Sequence, residues 1–185
     1  MVSEEEQEGI VRELNHALSL LVEHMDPALI PEVGSNIVYA LPGATEPGQV
    51  AGVFGRIVSL KGRVHPVGEV GFGASDHIAR VALTAMRFEP TVRSAANIRF
   101  SEETVELQKS LLFEVCEFDR TKEPPGVKTM DWGVAFCCRE GVPDAIVDRG
   151  AIGKEPMIRI LGEDPEQVAR NIIKLSGRIK NTTLG

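Results

Sequence analysis

The residues best suited to chemistry lie in a stretch from Gly55 to Arg80 that combines cations, glycines and one histidine. Near its end, Gly73-Ala74-Ser75 leads into apolar residues at helical spacing, which indicates a helix N-terminus. Glycine allows backbone N–H groups to approach a ligand closely, and free N–H groups at a helix N-terminus favour phosphate. His77 falls in the first helical turn, and Arg80 follows three residues later on the same face. The stretch could therefore bind an anion and move a proton.

This signal has structural explanations as well. Glycine-rich turns before helices are more often structural than functional, because the same glycines close tight strand-to-helix turns. Arg80 can pair with Asp76 at helical spacing without touching any ligand. Evidence from the rest of the chain is needed to distinguish these interpretations.

The composition of the chain is that of a globular domain without a membrane span. The chain has 185 residues, of which 43% are hydrophobic and 25% charged, and these values are typical of one globular domain. No apolar run reaches the length of a membrane span, and the acidic start MVSEEE is unlike a signal peptide. We therefore expect a cytoplasmic protein without a membrane partner.

The charge pattern indicates what kind of ligand is bound. The net charge is −7, which disfavours nucleic acid as the main partner because phosphate backbones need a basic surface. Residues 51–100, however, hold seven Lys and Arg against three acidic residues, a balance of +4. A local basic region in an acidic protein suits a small anionic ligand.

The three cysteines give little information about function. Cys116, Cys137 and Cys138 are odd in number and two are adjacent, so their spacing predicts neither a disulfide framework nor a tetrahedral metal site. We expect all three to be small buried apolar residues.

The elements that would position the chemistry follow from apolar periodicity, caps and turns. Helices are predicted over residues 3–25, 44–54, 75–88, 101–112 and 130–141 and from 164 onward, and strands over 35–41, 56–60, 63–67, 94–100, 113–118, 145–148 and 157–161. This pattern predicts a single layered α/β/α domain with a mixed sheet, spanning residues 34–180, and residues 1–33 as an N-terminal helix packed on it.

Two loops are candidates for the walls of a site. Residues 119–129 are rich in proline and charge, which is typical of a mobile lid. Residues 148–156 (DRGAIGKEP) follow a short buried strand, and ligands in α/β proteins often lie at the carboxyl ends of strands. A plain polar loop is about equally consistent with the second segment.

Five motifs in one order, GRIVSLKGRV, GFGASDHIARV, NIRFSEE, MDWG and DRGAIGKEPMIRI, resemble the ThiN-type thiamine-phosphate synthase domain. The resemblance covers about Gly34 to Leu175, and five ordered motifs are more specific than one glycine loop. It implies an enzyme that joins a pyrimidine methyl diphosphate to a thiazole phosphate and releases pyrophosphate. Such domains are most often fused to a kinase or a DNA-binding segment, and we expect this one to stand alone.

The implied reaction assigns roles to residues. Loss of diphosphate builds negative charge on the leaving group, so the site needs fixed cations and an acid. Arg56, the helix N-terminus and Lys154 could supply the cations, and His77 the acid, since its unperturbed pKa is about 6.5. A salt-bridged strand position is the structural alternative for Arg56.

Further contacts are expected around these groups. The residues predicted to bind substrate or phosphate are Asn36, Gly73, Ala74, Ser75, Arg80, Asn97, Met130, Trp132, Asp148, Arg149, Gly153 and Lys154. Asn36 could equally cap a turn, and Trp132 could equally be a core anchor. Phe72, Met130 and Trp132 could cover the flat pyrimidine ring.

A metal is the one cofactor that the reaction suggests, and no organic cofactor is expected. Mg²⁺ could bridge the diphosphate oxygens, with Asp148 or Asp119 as ligands or as partners of its ligands. Ala151 stands in DRGAIGKEP where the resemblance leads us to expect an acidic residue, which removes any metal or hydroxyl contact of that side chain.

Two hypotheses for function result. The first is a transferase of thiamine biosynthesis, and the second is a module that only senses thiamine phosphate. The small size and apolar helices also suggest a homodimer.

Overall fold

The computed structural model describes residues 3–182, except the side chains of residues 129–130 and 180–182. Within that range the helices are α1 Glu4–His24, α2 His77–Met86, α3 Glu102–Ser110, α4 Thr129–Cys137 and α5 Pro165–Thr182. The strands are β1 Ile37–Ala40, β2 Val50–Val53, β3 Ile57–Leu60, β4 Arg63–Pro66, β5 Val70–Phe72, β6 Ser94–Arg99, β7 Val115–Phe118, β8 Ala145–Asp148 and β9 Met157–Gly162.

Seven strands form one mixed sheet in the order β5-β2-β1-β6-β9-β8-β7. Its neighbouring strands are antiparallel except β7 and β8, which run parallel. The remaining strands, β3 and β4, form a separate hairpin. The predicted α/β class with a mixed sheet is therefore confirmed.

Helices cover both faces of the sheet. On one face α1 packs against α5, and on the other α2 packs against α4. The central strands are accordingly apolar on both sides, and Ile37, Ile98, Ile146, Ile158 and Ile160 are fully buried. None of the helices within residues 3–182 is long and apolar enough to cross a membrane.

Local sequence signals account for several of these elements. Helix α1 begins with the predicted capping box, in which Ser3 and Glu6 exchange hydrogen bonds with each other's backbone. The β3–β4 hairpin turns at Lys61 and Gly62, both with positive φ, which glycine adopts without strain. The hairpin and the opening helix were both predicted.

The predicted helix over residues 44–54 is wrong. Only Pro47–Gln49 forms a single 3-10 turn, and Val50–Val53 forms the fully buried strand β2. The glycine-rich residues Val70–Phe72 likewise pair with β2 as the edge strand β5 instead of forming a turn. In both cases pairing within the sheet outweighs the local turn signal.

The expectation that all three cysteines are unpaired is also wrong. Cys116 of β7 and Cys137 of α4 form a disulfide between residues that are 21 positions apart in sequence. Sequence spacing could not show that β7 and α4 are neighbours. Cys138 is free and buried as expected, and burial raises the pKa of its thiol to about 11.

We expect the disulfide to stabilise the fold by about 3 kcal/mol, because closing a loop of this length restricts the unfolded chain. The variant Cys116→Ala/Cys137→Ala should lose about that much unfolding free energy in urea denaturation. Under denaturing conditions without reductant, a thiol reagent should modify only Cys138. Reductant should destabilise the wild type and leave the double variant unchanged. Three reactive thiols in the unreduced wild type would contradict the pairing.

Candidate functional site

A cavity of about 530 Å³ lies on the α2 and α4 face of the sheet, beside the N-terminal end of α2. Its walls come from the segment just before β1, Arg56, the start of α2, the loop after β7 and the loop between β8 and β9, and residues of β6 and β9 also line it. Six Lys and Arg side chains against three carboxylates give its lining a formal charge of +3. A concave site of this size and sign suits a small anion.

Arg56 and His77 both line this cavity and are exposed, so they belong to its rim. Arg56 adopts a positive φ of 72°, and its Nη1 donates to the Val33 carbonyl at 2.5 Å. Among the described residues, no carboxylate lies within ion-pair distance of Arg56. His77 is exposed on the first turn of α2. The two residues are therefore exposed to a ligand in the cavity.

The start of α2 combines a cap with an ion pair. Ser75 Oγ accepts the Ile78 N–H at 3.3 Å and thereby satisfies one free donor of the first turn of α2. Arg80 Nε donates to Asp76 Oδ2 at 3.0 Å, and this hydrogen bond lowers the pKa of Asp76. Gly73 has a φ of 73°, which the turn into the helix requires. Ser75 and Arg80 line the cavity, whereas Gly73 and Ala74 lie outside its lining.

Asn36 and Asn97 lie at the floor of the cavity and use most of their amide groups in structural bonds. The Asn36 side chain exchanges hydrogen bonds with the Val53 backbone, at 2.9 Å in each direction. Asn97 accepts the Asn36 N–H at 2.7 Å and donates to the Gly34 carbonyl at 3.1 Å. Both residues are buried and hold the entry to β1 against β2 and β6.

Loops supply the remaining walls. The segment predicted as a lid contributes Arg120, Glu123, Val127 and Lys128 to the lining. The loop after β8 contributes Gly153 and Lys154, which belong to a tight turn closed by backbone hydrogen bonds between Ala151 and Lys154.

Glu155 links that loop to the opposite wall. Its carboxylate accepts the N–H groups of Glu32 and Val33, at 2.9 and 3.3 Å. The turn that holds the Val33 carbonyl against Arg56 is thereby fixed from two sides.

A buried ion network lies beneath the cavity. Asp148 is fully buried at the end of β8 and accepts four N–H donors. Arg120 donates at 2.7 and 2.5 Å, Arg159 at 3.2 Å and the Gly150 backbone at 2.9 Å. Burial alone would raise the pKa of Asp148, but the hydrogen bonds from Arg120 and the charge of Arg159 hold it below its ordinary value.

The register of the sheet explains why Asp148 and Arg159 are in contact. In β8 and β9, Asp148 is opposite Met157 and Ile146 is opposite Arg159, and opposed residues share one face. Because alternate residues of a strand lie on the same face, Asp148 and Arg159 both face α2 and α4. Sequence reasoning selected Asp148 and missed Arg159 and Arg120. The available signal was an arginine inside the otherwise apolar strand MIRILG.

Two further predicted contacts, Arg149 and Trp132, lie outside the cavity lining. Arg149 pairs with Glu102 and Glu117 outside the cavity lining, and these two partners raise its pKa. Trp132 packs edge-on against Phe118 with ring centroids 6.0 Å apart. Met130 belongs to α4, but its side chain lies outside the described residues.

The carboxylates near the cavity do not form a metal site. Within the described part of the chain, no three His, Cys, Asp or Glu side chains are grouped so that they could hold a metal. The four donors on Asp148 occupy its four acceptor positions. Asp119 accepts the Thr121 N–H and hydroxyl on one oxygen and lies outside the cavity lining. Neither residue fits as a direct ligand of Mg²⁺ inside the cavity.

Comparison with known proteins identifies relatives. A family model described as thiamine-phosphate synthase ThiN matches residues 13–174, which confirms the predicted resemblance. The chain is 43% identical to the bifunctional thiamine biosynthesis protein ThiDN of Methanocaldococcus jannaschii over 96% of its own length and 43% of that protein's. It is 39% identical to the thiamine-phosphate synthase ThiN of Methanothermobacter thermautotrophicus, over 83% of this chain and 84% of that one.

The fold agrees with a solved structure. The crystal structure of the C-terminal domain of protein MJ0236 superposes with a TM-score of 0.89 at 43% identity, covering 96% of this chain and 98% of that one. The chain thus spans less than half the length of its bifunctional relative and almost all of this solved domain.

The buried network should make stability depend on pH. Because folding lowers the pKa of Asp148, its carboxylate stabilises the fold above about pH 4, and this contribution is lost as the pH falls through the folded-state pKa. We expect Asp148→Asn to cost about 3–5 kcal/mol at pH 7, because two buried cations lose their counter-charge. Urea denaturation at several pH values measures the difference, which should shrink below pH 4.

Glu23→Gln, at an exposed carboxylate of α1, is the matched control and should change stability little at any pH. A cost of Asp148→Asn that is the same at pH 3 and pH 7 would contradict the assignment.

Proposed function

This chain belongs to the thiamine-phosphate synthase ThiN family, and on that premise we propose that it joins hydroxymethylpyrimidine diphosphate to thiazole phosphate. Family membership supports a role in thiamine biosynthesis as a transferase. The products of the proposed reaction are thiamine phosphate and pyrophosphate.

One observation carries the proposal: Arg56 and His77 lie at the rim of the same cationic cavity, beside the N-terminus of α2. Lys128 and Lys154 add further positive charge to this rim. Cations and helix N–H groups favour a diphosphate, and their effect is largest where negative charge develops during the reaction.

The proposed chemistry is a dissociative substitution. The bond between the pyrimidine methylene carbon and the diphosphate oxygen breaks, and its electron pair leaves with the oxygen. The thiazole ring nitrogen then donates its lone pair to the methylene cation, which forms the new C–N bond. Arg56 would stabilise the charge on the departing diphosphate, and His77 would donate a proton to it.

Mg²⁺ would supply additional positive charge at the diphosphate. Asp148 uses its acceptor positions for Arg120, Arg159 and Gly150, so it would not hold the ion directly. The residues of the rim would still orient the leaving group.

We expect Arg56→Ala to lower kcat about 10²–10³-fold, because a charge contact to the leaving group is lost. For His77→Ala we expect a loss of about 10²–10⁴-fold, because the acid is missing. Purified protein is incubated with both substrates, and thiamine phosphate is quantified over time. The matched controls are Arg63→Ala and His65→Ala, which change exposed residues of β4 outside the cavity and should retain activity.

A wild-type protein that binds both substrates but forms no product would contradict the enzyme proposal. If thiamine phosphate then raised its melting temperature, the second hypothesis, a sensor module, would replace it. Full activity of Arg56→Ala and His77→Ala would contradict the assignment of these two residues.

A further inference from the structure

Arg159 has hydrogen-bonding capacity that the fold does not use. Its side chain is 5% exposed and lines the cavity from below. A guanidinium carries five N–H donors, but the bond to Asp148 involves only Nη1, and Nε is buried without a partner among the residues that the structure describes. Buried polar groups are normally paired, so an unpaired donor next to a cavity suggests a missing ligand.

The charge of the cavity leads to the same conclusion. Its lining carries a formal charge of +3, and Arg159 is the most deeply buried cation in it. A bound anion at the floor would offset this positive charge.

The proposed reaction has two anionic substrates, and the cavity has two separate groups of cations. Its rim holds Arg56, Lys154 and His77, which are exposed and could release a departing pyrophosphate to solvent. The floor holds Arg159, which is too deep for a leaving group to escape past a second substrate. The phosphate that remains on the product fits the floor better, because it does not have to leave during the reaction.

We propose that Arg159, together with Arg120, binds the single phosphate of the thiazole substrate at the cavity floor, while the rim binds the diphosphate. This inference rests on the proposed function for the identity of the substrate. It assigns Arg159 as a specificity-determining residue for the phosphorylated thiazole.

A thermodynamic binding cycle tests this assignment. It compares ligands with and without the phosphate in proteins with and without the arginine. Calorimetry measures the binding of thiazole phosphate and of the unphosphorylated thiazole alcohol to wild type and to Arg159→Gln. We expect thiazole phosphate to bind 10- to 100-fold more weakly to Arg159→Gln, since hydrogen bonds to a charged group are lost. Binding of the alcohol should change less than threefold, as should binding of the pyrimidine diphosphate.

Two further variants keep the test interpretable. Arg159→Lys retains the charge without the planar fork, is expected to fold even if Arg159→Gln does not, and should show an intermediate loss. Arg99→Gln, at an exposed arginine of β6 outside the cavity lining, should bind all three ligands as wild type does.

An equal loss for the phosphate and the alcohol, or a selective loss for the diphosphate, would overturn the inference. The binding cycle does not depend on turnover. If the binding data showed the expected selective loss in Arg159→Gln but the wild type formed no product, the proposed function would fail and the phosphate subsite would stand. If the wild type formed product but Arg159→Gln showed no selective loss of thiazole phosphate binding, only the proposed phosphate subsite would fail.

Discussion

The fully buried carboxylate of Asp148 and its two arginines constrain the whole site. Arg159 comes from a central strand of the sheet, whereas Arg120 comes from the loop that follows β7. One carboxylate therefore holds the loop that forms a cavity wall against the sheet that forms its floor. The arrangement requires the register of β8 on β9, since a slip of one residue would move these side chains to the opposite face. Correct pairing of the strands and formation of the cavity are consequently coupled.

The cations of the cavity fall into two groups, exposed ones at the rim and a buried arginine at the floor. The chain is acidic overall, with a net charge of −7, yet the cavity lining is cationic. The cations at the rim are exposed to solvent, which suits capture and release of a charged leaving group. The buried arginine below is held in place by Asp148, which suits recognition of a group that stays bound. On the proposed function, steric depth and charge would distinguish the two anionic substrates without a dedicated domain for each.

Much of the fold was predictable because the signals for it are local. The capping box of α1, the turn at Lys61 and Gly62, and the apolar periodicity of α2 each depend on residues close in sequence. Strands β2 and β5 were missed because their stability comes from pairing with each other and with β1, and local glycine and proline signals indicated a turn or helix instead. The disulfide of Cys116 was missed for the same reason, since it depends on a tertiary contact.

The site was predictable in part. Arg56 and His77 were selected from motif context, and the structure brings them to one rim. Arg149, by contrast, adjoins a selected motif but is held by two glutamates at the surface. Arg159 carried a signal that motif reasoning passed over, namely one charge within a buried strand. A buried charge indicates a partner, and only the sheet register shows which partner it is.

The most direct test of the central claim is a crystal structure of the protein with thiamine phosphate and pyrophosphate bound. The account predicts the product's phosphate within hydrogen-bonding distance of Arg159 and pyrophosphate beside Arg56 and His77. A phosphate of the product bound at the rim, with Arg159 contacting only Asp148, would contradict it.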